Sequence, residues 1–295
     1  MQLYSETITT PPRAAATVVM LRDGTEGLEV LLIKRHALSD VLGDNYVFPG
    51  GKVDLADSQL DMSAHLDLPP QALHARLNEP DIAPLTAASF YVAALREAFE
   101  ESGVLFAQGA SAGQTAQALA LLQAGHSFGA MLAQLSLRLH SSCVLPWSRW
   151  ITPTMPSVST KRFDTRFFVA KMPGNQIARH DNHEATESHW LRPRTALEQY
   201  WSGEIKLVPP QIMSLIQLAR HTDVHSVLQA ARARLPPVIQ PAAHDFEGNR
   251  ILCYPGDERH PVRARALPGP TRLIFRNQRF EPPSGFEGFF DDHAG

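Results

Sequence analysis

The amino-acid sequence predicts an α/β fold, in which helices pack on a central β-sheet. Residues 14–22 and 28–35 are apolar runs joined by a glycine-containing turn signal, which is typical of a hairpin. Such uniformly apolar runs are typical of strands buried on both faces. A helical pattern then ends at Gly103, and strand-like runs return at 149–152 and 162–170. The strands on either side of this helical region are expected to form one sheet.

Composition and charge exclude several classes of protein. The chain has 295 residues, 44% of them hydrophobic, and a net charge of −3, whereas nucleic-acid-binding proteins usually have a basic surface. No apolar run approaches the length of a membrane span, so we expect no membrane insertion. The two cysteines, Cys143 and Cys253, are far apart and form neither a disulfide framework nor a zinc motif. These features, with no recognisable targeting signal, predict a cytoplasmic protein.

The helix that ends at Gly103 carries three glutamates on one side. Glu97, Glu100 and Glu101 lie three and four positions apart, so a helix brings them together in one narrow arc. The opposite side is mostly apolar and suits a core; it consists of Tyr91, Val92, Leu95, Phe99 and Ser102. Clustered like charges destabilise a helix unless a cation neutralises them, and Mg²⁺ prefers carboxylate oxygens. We therefore expect a metal site, with a solvated acidic helix face as the alternative.

A glycine pair upstream, Gly50-Gly51, offers backbone that can approach a phosphate or a metal closely. Together with the glutamate helix it resembles the signature of the Nudix hydrolases. In that family a glycine and a glutamate precede the run Arg-Glu-U-x-Glu-Glu-x-Gly-U, where U is aliphatic. The matching residues are Gly51, Asp57, Arg96, Glu97, Glu100, Glu101, Gly103 and Val104.

Two departures from the signature are present. Asp57 stands where the family has glutamate, and the spacer after it, residues 58–95, is much longer than usual. The resemblance implies that Asp57 pairs with Arg96 and braces the loop. It also implies that the three glutamates bind the metal, with Gly50 or Gly51 contributing a carbonyl.

A second region narrows the resemblance to one subgroup. Residues 146–153 and 161–170 are similar to the peroxisomal coenzyme A diphosphatase type of Nudix protein, which tolerates a long spacer. This subgroup implies a Nudix-type α/β/α sandwich around a mixed sheet. It also implies hydrolysis of coenzyme A or acyl-coenzyme A to 3′,5′-ADP and (acyl-)4′-phosphopantetheine. Mg²⁺ is the implied cofactor, with Mn²⁺ as an alternative.

Two other functions remain open on the sequence. One is hydrolysis of ADP-ribose or a dinucleotide, although relatives of the ADP-ribose type usually carry a proline in the segment between Gly103 and Pro146, where this chain has none. The other is a nucleotide-binding regulatory module without turnover. The complete set of Glu97, Glu100 and Glu101 argues against that module, because binding alone does not require all three.

Three arginines are candidates for substrate phosphates. Arg35 is the last residue of the second predicted strand, next to Lys34. In the later strand, Arg162, Asp164 and Arg166 share one face by the period of two. Arginine grips phosphate with a planar fork, so we expect Arg162 or Arg166 to contact the 3′-phosphate of coenzyme A. The alternative for this face is a cross-strand salt bridge.

A fourth glutamate is expected to reach the metal from a segment that precedes Trp190. The resemblance implies such a residue a few positions before a tryptophan-bearing strand, and its spacing favours Glu187 over Glu184. The general base is then Glu97 or Glu187. Because like charges raise a carboxylate's pKa and a bound metal lowers it, the sequence does not choose between them.

The remaining segments define the predicted domains. Residues 58–89 contain several prolines and short helical fragments, and we expect a helical flap beside the active site. The Nudix domain is expected to span residues 1–235. From residue 236 to 295 prolines and short apolar runs predict a β-rich extension packed on that domain. Whether this extension also mediates a homodimer is left open.

Overall fold

A mixed β-sheet forms the centre of the molecule. The computed structural model describes residues 6–39, 42–156, 161–180 and 184–292. The strands of the central sheet in these residues are β1 (Arg13–Gly24), β2 (Gly27–Arg35), β3 (Tyr46–Val47), β4 (Gly50–Lys52), β5 (Leu145–Ile151), β6 (Phe163–Lys171), β7 (Ala185–Leu191) and β8 (Val238–Ile239). Their order is β3-β2-β1-β6-β5-β8, with β4 paired to β1 and β7 paired to β2. Because β1 is antiparallel to β2 and parallel to β6, the sheet is mixed, as predicted.

Helices cover both faces of this sheet. They are α1 (Leu55–Gln59), α2 (Met62–His65), α3 (Pro70–Leu77), α4 (Pro84–Ser102), α5 (Ala112–Gln123), α6 (Phe128–Gln134), α7 (Pro193–Ser202), α8 (Pro209–Leu218) and α9 (Val224–Ala233). Alternate residues of β1 enter different cores: Val18 packs with Leu95 of α4, and Val19 packs with Ile212 of α8. The predicted α/β/α sandwich is therefore confirmed. No helix in the described part of the chain is long and apolar enough to cross a membrane.

The segment 58–89 is part of the core, which differs from the expected flap. Helix α3 runs from Pro70 to Leu77 as predicted, since proline is tolerated in a first turn. However, Met62, Leu66 and Leu73 are at most 5% exposed and pack in the same core as α4. None of the described residues lining the cavity of about 490 Å³ beside α4 comes from this segment. The segment therefore supports the fold rather than covering the active site.

The C-terminal extension forms a second sheet on the same molecule. Its strands are β9 (Ala242–Phe246), β10 (Asn249–Cys253), β11 (Arg272–Arg276) and β12 (Arg279–Glu281), all antiparallel. Leu252, Leu273 and Phe280 are buried in the core that also contains Ile212 and Ile216 of α8. Strand β8 pairs with β5 in the central sheet. The extension is β-rich and docked as predicted, and it shares its core with the preceding residues.

Candidate active site

Helix α4 presents the glutamates beside the central sheet. Gly103, directly after the end of the helix, has φ of 68°, so a left-handed cap ends the helix as the sequence predicted. Glu101 is 2% exposed, while the side chain of Glu100 is 38% exposed. The apolar side of α4 contacts the sheet through Tyr91, whose ring centre lies 4.7 Å from that of Phe168 on β6. Packing of the apolar side therefore fixes where the three carboxylates lie.

Arg96 connects the helix to the loop that follows β4. Its Nε donates to Asp57 Oδ1 at 2.8 Å and its Nη2 to Asp57 Oδ2 at 3.0 Å. Nη2 also donates to the carbonyl of Lys52 at 3.0 Å. Nη1 bridges Glu97 and Glu100, at 2.9 Å from an oxygen of each. The expected pair between Asp57 and Arg96 is present, because α1 carries the shorter aspartate close to the guanidinium.

The two glycines of β4 lie against α4. The amide of Gly50 donates to Glu101 Oε2 at 2.8 Å. A Cβ atom at Gly51 would overlap the carboxylate of Glu97, and one at Gly50 would overlap Thr17. Glycine at position 50 therefore lets β4 lie this close to the backbone of β1, and a side chain at position 51 would displace the carboxylate of Glu97.

A cavity of about 490 Å³ opens beside this cluster. Its polar end is formed by Arg35, Gly50, Gly51, Lys52, Asp54, Arg96, Glu97, Glu100 and Glu184. Its apolar wall includes Phe48, Trp150, Phe163, Phe167, Val208, Pro209, Pro241 and Leu252. A ligand in this cavity would place a charged group against the carboxylates and an apolar or aromatic group against the wall.

The surroundings of the three carboxylates disfavour their ionised forms. Burial raises the pKa of Glu97 to about 7, although Arg96 opposes the shift. Burial also raises the pKa of Glu100, again against Arg96, and burial together with Glu97 raises the pKa of Glu101 well above its usual range. Carboxylates that resist ionisation in this way would be stabilised by an added cation.

The donor set fits a hard divalent cation, because it consists of carboxylate and backbone carbonyl oxygens. In the described part of the chain no three acidic, histidine or cysteine side chains already surround one point. The bridging Nη1 of Arg96 lies between oxygens of Glu97 and Glu100. A cation at these oxygens would compete with that guanidinium group.

The fourth glutamate at the cavity is Glu184, which corrects the preference for Glu187. Glu187 accepts hydrogen bonds from Lys34 Nζ at 2.9 Å and Tyr46 Oη at 2.6 Å, away from the residues that line the cavity. These bonds lower its pKa to about 2, which makes it a poor base near neutral pH. Glu184 lines the cavity, lies 3.6 Å from Arg35 Nη2, and its charge raises the pKa of Glu97.

We expect Glu184→Gln to lower kcat more than Glu187→Gln does. Only the first change removes a carboxylate from the cavity, so a loss of about tenfold or more is expected for it and less than threefold for the second. Steady-state kinetics of the two purified variants measures both. A larger loss for Glu187→Gln would contradict the placement of Glu184 as the working residue.

Of the three predicted substrate-binding arginines, the structure brings only Arg35 to the cavity. Arg35 Nη1 lies 3.4 Å from Glu101 Oε1, and its Nε is buried without a hydrogen-bond partner among the described residues. Arg162 is buried and donates to the backbone carbonyls of Thr152, Pro153 and Thr10. It does not line the cavity.

Arg166 also contacts other residues of the protein and does not line the cavity. It is 4% exposed and its Nε donates to Glu79 at 2.9 Å, while its guanidinium carbon lies 3.8 Å from the ring of Phe90. Arg149 and Asp164 form the neighbouring cross-strand ion pair, at 2.7 Å. The alternative considered for this strand face, a salt bridge, is the one the structure contains, and the predicted phosphate contact through Arg162 or Arg166 is wrong.

The sequence reasoning missed the apolar wall. Phe163, Thr165 and Phe167 line the cavity together with Lys161, so the cavity lies on the strand face opposite the arginines. The period of two already separated these faces, and the aromatic face was a signal for a ligand wall. Leu252 of the extension also lines the cavity, and no sequence pattern marks it as a site residue.

Comparison with known proteins agrees with this arrangement. The family model for the NUDT19 Nudix domain matches residues 10–218. The acyl-coenzyme A diphosphatase NUDT19 of Xenopus laevis is 25% identical over 283 residues, covering 81% of this chain and 73% of the relative. The human protein of that name is 27% identical and covers 79% of this chain and 72% of the relative.

A solved structure supports the same assignment. The crystal structure of a Nudix hydrolase from Alicyclobacillus acidocaldarius is 27% identical, with a TM-score of 0.60 over 77% of this chain and 98% of that chain. The family model covers more than half of the sequence. Of the signature residues, Gly51, Arg96, Glu97 and Glu100 line the cavity. The chain belongs to the Nudix hydrolases, in the family of the NUDT19 Nudix domain.

Proposed function

We propose that this protein hydrolyses the diphosphate bond of coenzyme A or an acyl-coenzyme A in the presence of Mg²⁺. The observation that carries the proposal is the cavity that joins the carboxylates of α4 to a wall of aromatic and aliphatic residues. The diphosphate would lie at the acidic end, and the adenine ring or the acyl-pantetheine arm along the wall. The names of the Xenopus and human relatives support this substrate class.

The proposal assigns the metal to the glutamates of α4. Glu97, Glu100 and Glu101 would hold the cation, with a carbonyl of Gly50 or Gly51. A divalent cation there would neutralise charge on the phosphate oxygens and acidify a water molecule. Mg²⁺ is our proposed ion and Mn²⁺ the alternative, because both accept an all-oxygen donor set that is completed by phosphate oxygens of the substrate.

The remaining roles belong to the chain's own side chains. Our candidates for accepting the proton of the attacking water are Glu97, whose pKa is raised to about 7, and Glu184, because both line the cavity. Arg35 has a buried Nε that still offers a hydrogen bond, so it is our candidate for a diphosphate oxygen. Trp150 and Phe163 would bind the organic part of the substrate and exclude water.

The proposal includes a cytoplasmic location, no nucleic-acid partner and a homodimer through the extension. The described residues contain two free cysteines, of which Cys253 is buried, and this suits a reducing compartment. Sedimentation of the purified protein tests the dimer directly.

A substrate panel tests the proposed activity. The purified protein is assayed with coenzyme A, acyl-coenzyme A, ADP-ribose and NADH, with Mg²⁺, with Mn²⁺ and with a chelator. We expect the highest kcat/KM for a coenzyme A compound and no turnover with the chelator. A clear preference for ADP-ribose or NADH would assign the site to the alternative substrates, and binding without any turnover would indicate a regulatory module.

Lys161 replaces the arginines as the candidate for the 3′-phosphate. It lies just before β6 and lines the cavity together with Phe163 and Thr165. Lys161→Ala is expected to lower kcat/KM for coenzyme A. The loss should correspond to about 1.5–3 kcal/mol of transition-state binding free energy, the usual contribution of a charged hydrogen bond. The loss for 3′-dephospho-coenzyme A should be much smaller, because that substrate lacks the group.

Comparing the two substrates isolates the contact. Lys171→Ala is the control, since Lys171 is exposed at the far end of β6 and does not line the cavity. An equal loss on both substrates would instead place Lys161 at the diphosphate. If the wild-type protein prefers dephospho-coenzyme A, recognition of a 3′-phosphate is ruled out.

A further inference from the structure

A second cavity, of about 570 Å³, lies between the Nudix fold and the C-terminal extension. Trp147 of β5, His221 after α8 and Arg234 after α9 form one side, and the segment 265–268 forms the other. No described residue lines both this cavity and the candidate active site. The second cavity is therefore a separate place in the molecule.

The charges around this cavity are predominantly positive. Three arginines line it, Arg220, Arg234 and Arg265, against the single carboxylate of Asp292 among the described lining residues. Burial and the nearby Arg234 lower the pKa of His221, which keeps its imidazole mainly neutral near neutral pH. The excess of positive charge favours an anionic ligand and disfavours a metal ion.

The arginines differ in how far their donors are already used. Arg220 forms a two-bond pair with Asp292, at 2.7 and 2.9 Å, and Arg265 donates to the backbone carbonyls of Leu267, Gly269 and Asp292. Arg234 donates to the carbonyl of Trp147 at 3.1 Å and has no carboxylate within ion-pair distance among the described residues. Its remaining N–H groups can bind a ligand.

Trp147 supplies an independent observation. The guanidinium carbon of Arg234 lies 4.3 Å from the centre of the indole ring of Trp147. The side chain is 2% exposed, yet its Nε1 has no hydrogen-bond partner in the described structure. Leaving a buried donor unpaired costs about 1–3 kcal/mol, so an acceptor oxygen from a ligand would relieve a real deficit.

We propose that this cavity binds a phosphoryl group, free or carried as a monoester, through Arg234 and the indole N–H of Trp147. A phosphate dianion matches the excess positive charge better than a carboxylate does, and guanidinium groups bind phosphate oxygens in pairs. The cavity is larger than a phosphate ion needs, and Leu267 and Pro268 provide an apolar surface for the organic part of a monoester.

Indole N–H signals in NMR spectra test the proposal, because each of the four tryptophans gives one signal. The signal of Trp147 is assigned as the one that is missing from the spectrum of the Trp147→Phe variant. Titration with AMP is expected to shift this signal to saturation, whereas adenosine, which lacks the phosphate, should leave it in place. Inorganic phosphate identifies the source: equal affinity for phosphate and AMP indicates the free ion, and tighter binding of AMP indicates a monoester.

Substitution of Arg234 supplies the second test. Arg234→Gln should weaken AMP binding at the Trp147 signal about tenfold or more, since it removes a charged hydrogen bond. Arg232→Gln is the matched control. Arg232 is exposed on α9, two residues before Arg234, and its substitution should change the affinity less than twofold. If Arg234→Gln does not fold, Arg234→Lys keeps the charge but not the planar fork and should weaken binding several-fold. An unmoved Trp147 signal, or the same shift with adenosine, would overturn the proposal.

Discussion

Glu100→Gln is expected to lower kcat by about 10²-fold or more while leaving the protein folded. Glu100 lines the cavity beside Glu97, and its side chain is the most exposed of the three carboxylates of α4. Loss of one metal-binding charge removes several kcal/mol of stabilisation from a transition state in which phosphate charge must be neutralised. The fold should tolerate the change, because Arg96 keeps its two bonds to Asp57 and its bond to Lys52.

Two measurements separate loss of metal from loss of structure. Without added metal, the free energy of unfolding of Glu100→Gln should lie within about 1 kcal/mol of wild type, since burial already disfavours the ionised form of this side chain. Added Mg²⁺ should raise the Tm of the wild type and raise that of the variant less. Glu204→Gln, at an exposed position after α7, is the control for both. Near-normal turnover of Glu100→Gln would remove the proposed metal site from consideration.

The parts of the site that the sequence predicted well are those determined by local structure. Helix α4 follows from its own periodicity, and one helix places Glu97, Glu100 and Glu101 together whatever surrounds it. The cap at Gly103 and the glycine pair of β4 depend on backbone geometry, which glycine reveals in a single sequence.

The arginines of β6 show what local reasoning leaves out. The period of two correctly placed Arg162 and Arg166 on one face and Phe163 on the other, but it does not say which face meets the cavity. That depends on the distant Glu79 and on Phe90 of α4, which cover the face of Arg166. A basic side chain in a strand therefore indicates an anion partner without showing whether the partner is a ligand or a buried carboxylate.

The choice between Glu184 and Glu187 depended on strand register. Strand β7 pairs with β2 so that Glu187 lies opposite Lys34, and the pairing is irregular between Lys34 and Arg35. Glu187 is thereby drawn into contact with Lys34, while Glu184 precedes the strand and lies near Arg35. Spacing from Trp190 along one strand contains no information about this partner, so the sequence did not show that Glu184 is the glutamate that lines the cavity.

The segment 58–89 was expected to be a flap, and Glu79 gives a clear reason why it is part of the core instead. Its carboxylate is 6% exposed and accepts from Arg166 Nε at 2.9 Å, and lies 2.9 Å from Arg149 Nη1. The segment thus supplies the buried counter-charge for two arginines of the central sheet. Removing one partner from a buried ion pair leaves an unpaired charge, which is usually more costly than the pair itself is worth.

Glu79→Gln is therefore expected to lower the free energy of unfolding by about 3 kcal/mol. The value lies at the low end of the range for buried pairs because Asp164 remains beside both arginines, at 2.7 Å from Arg149 and 3.0 Å from Arg166. Chemical denaturation monitored by tryptophan fluorescence measures the change. Glu198→Gln is the control: it breaks an exposed pair with Arg194 on α7 and should cost less than about 0.5 kcal/mol. If the two variants lose equal stability, the carboxylate of Glu79 does not anchor the segment 58–89 to the sheet, and the segment is held by its apolar contacts with α4 alone.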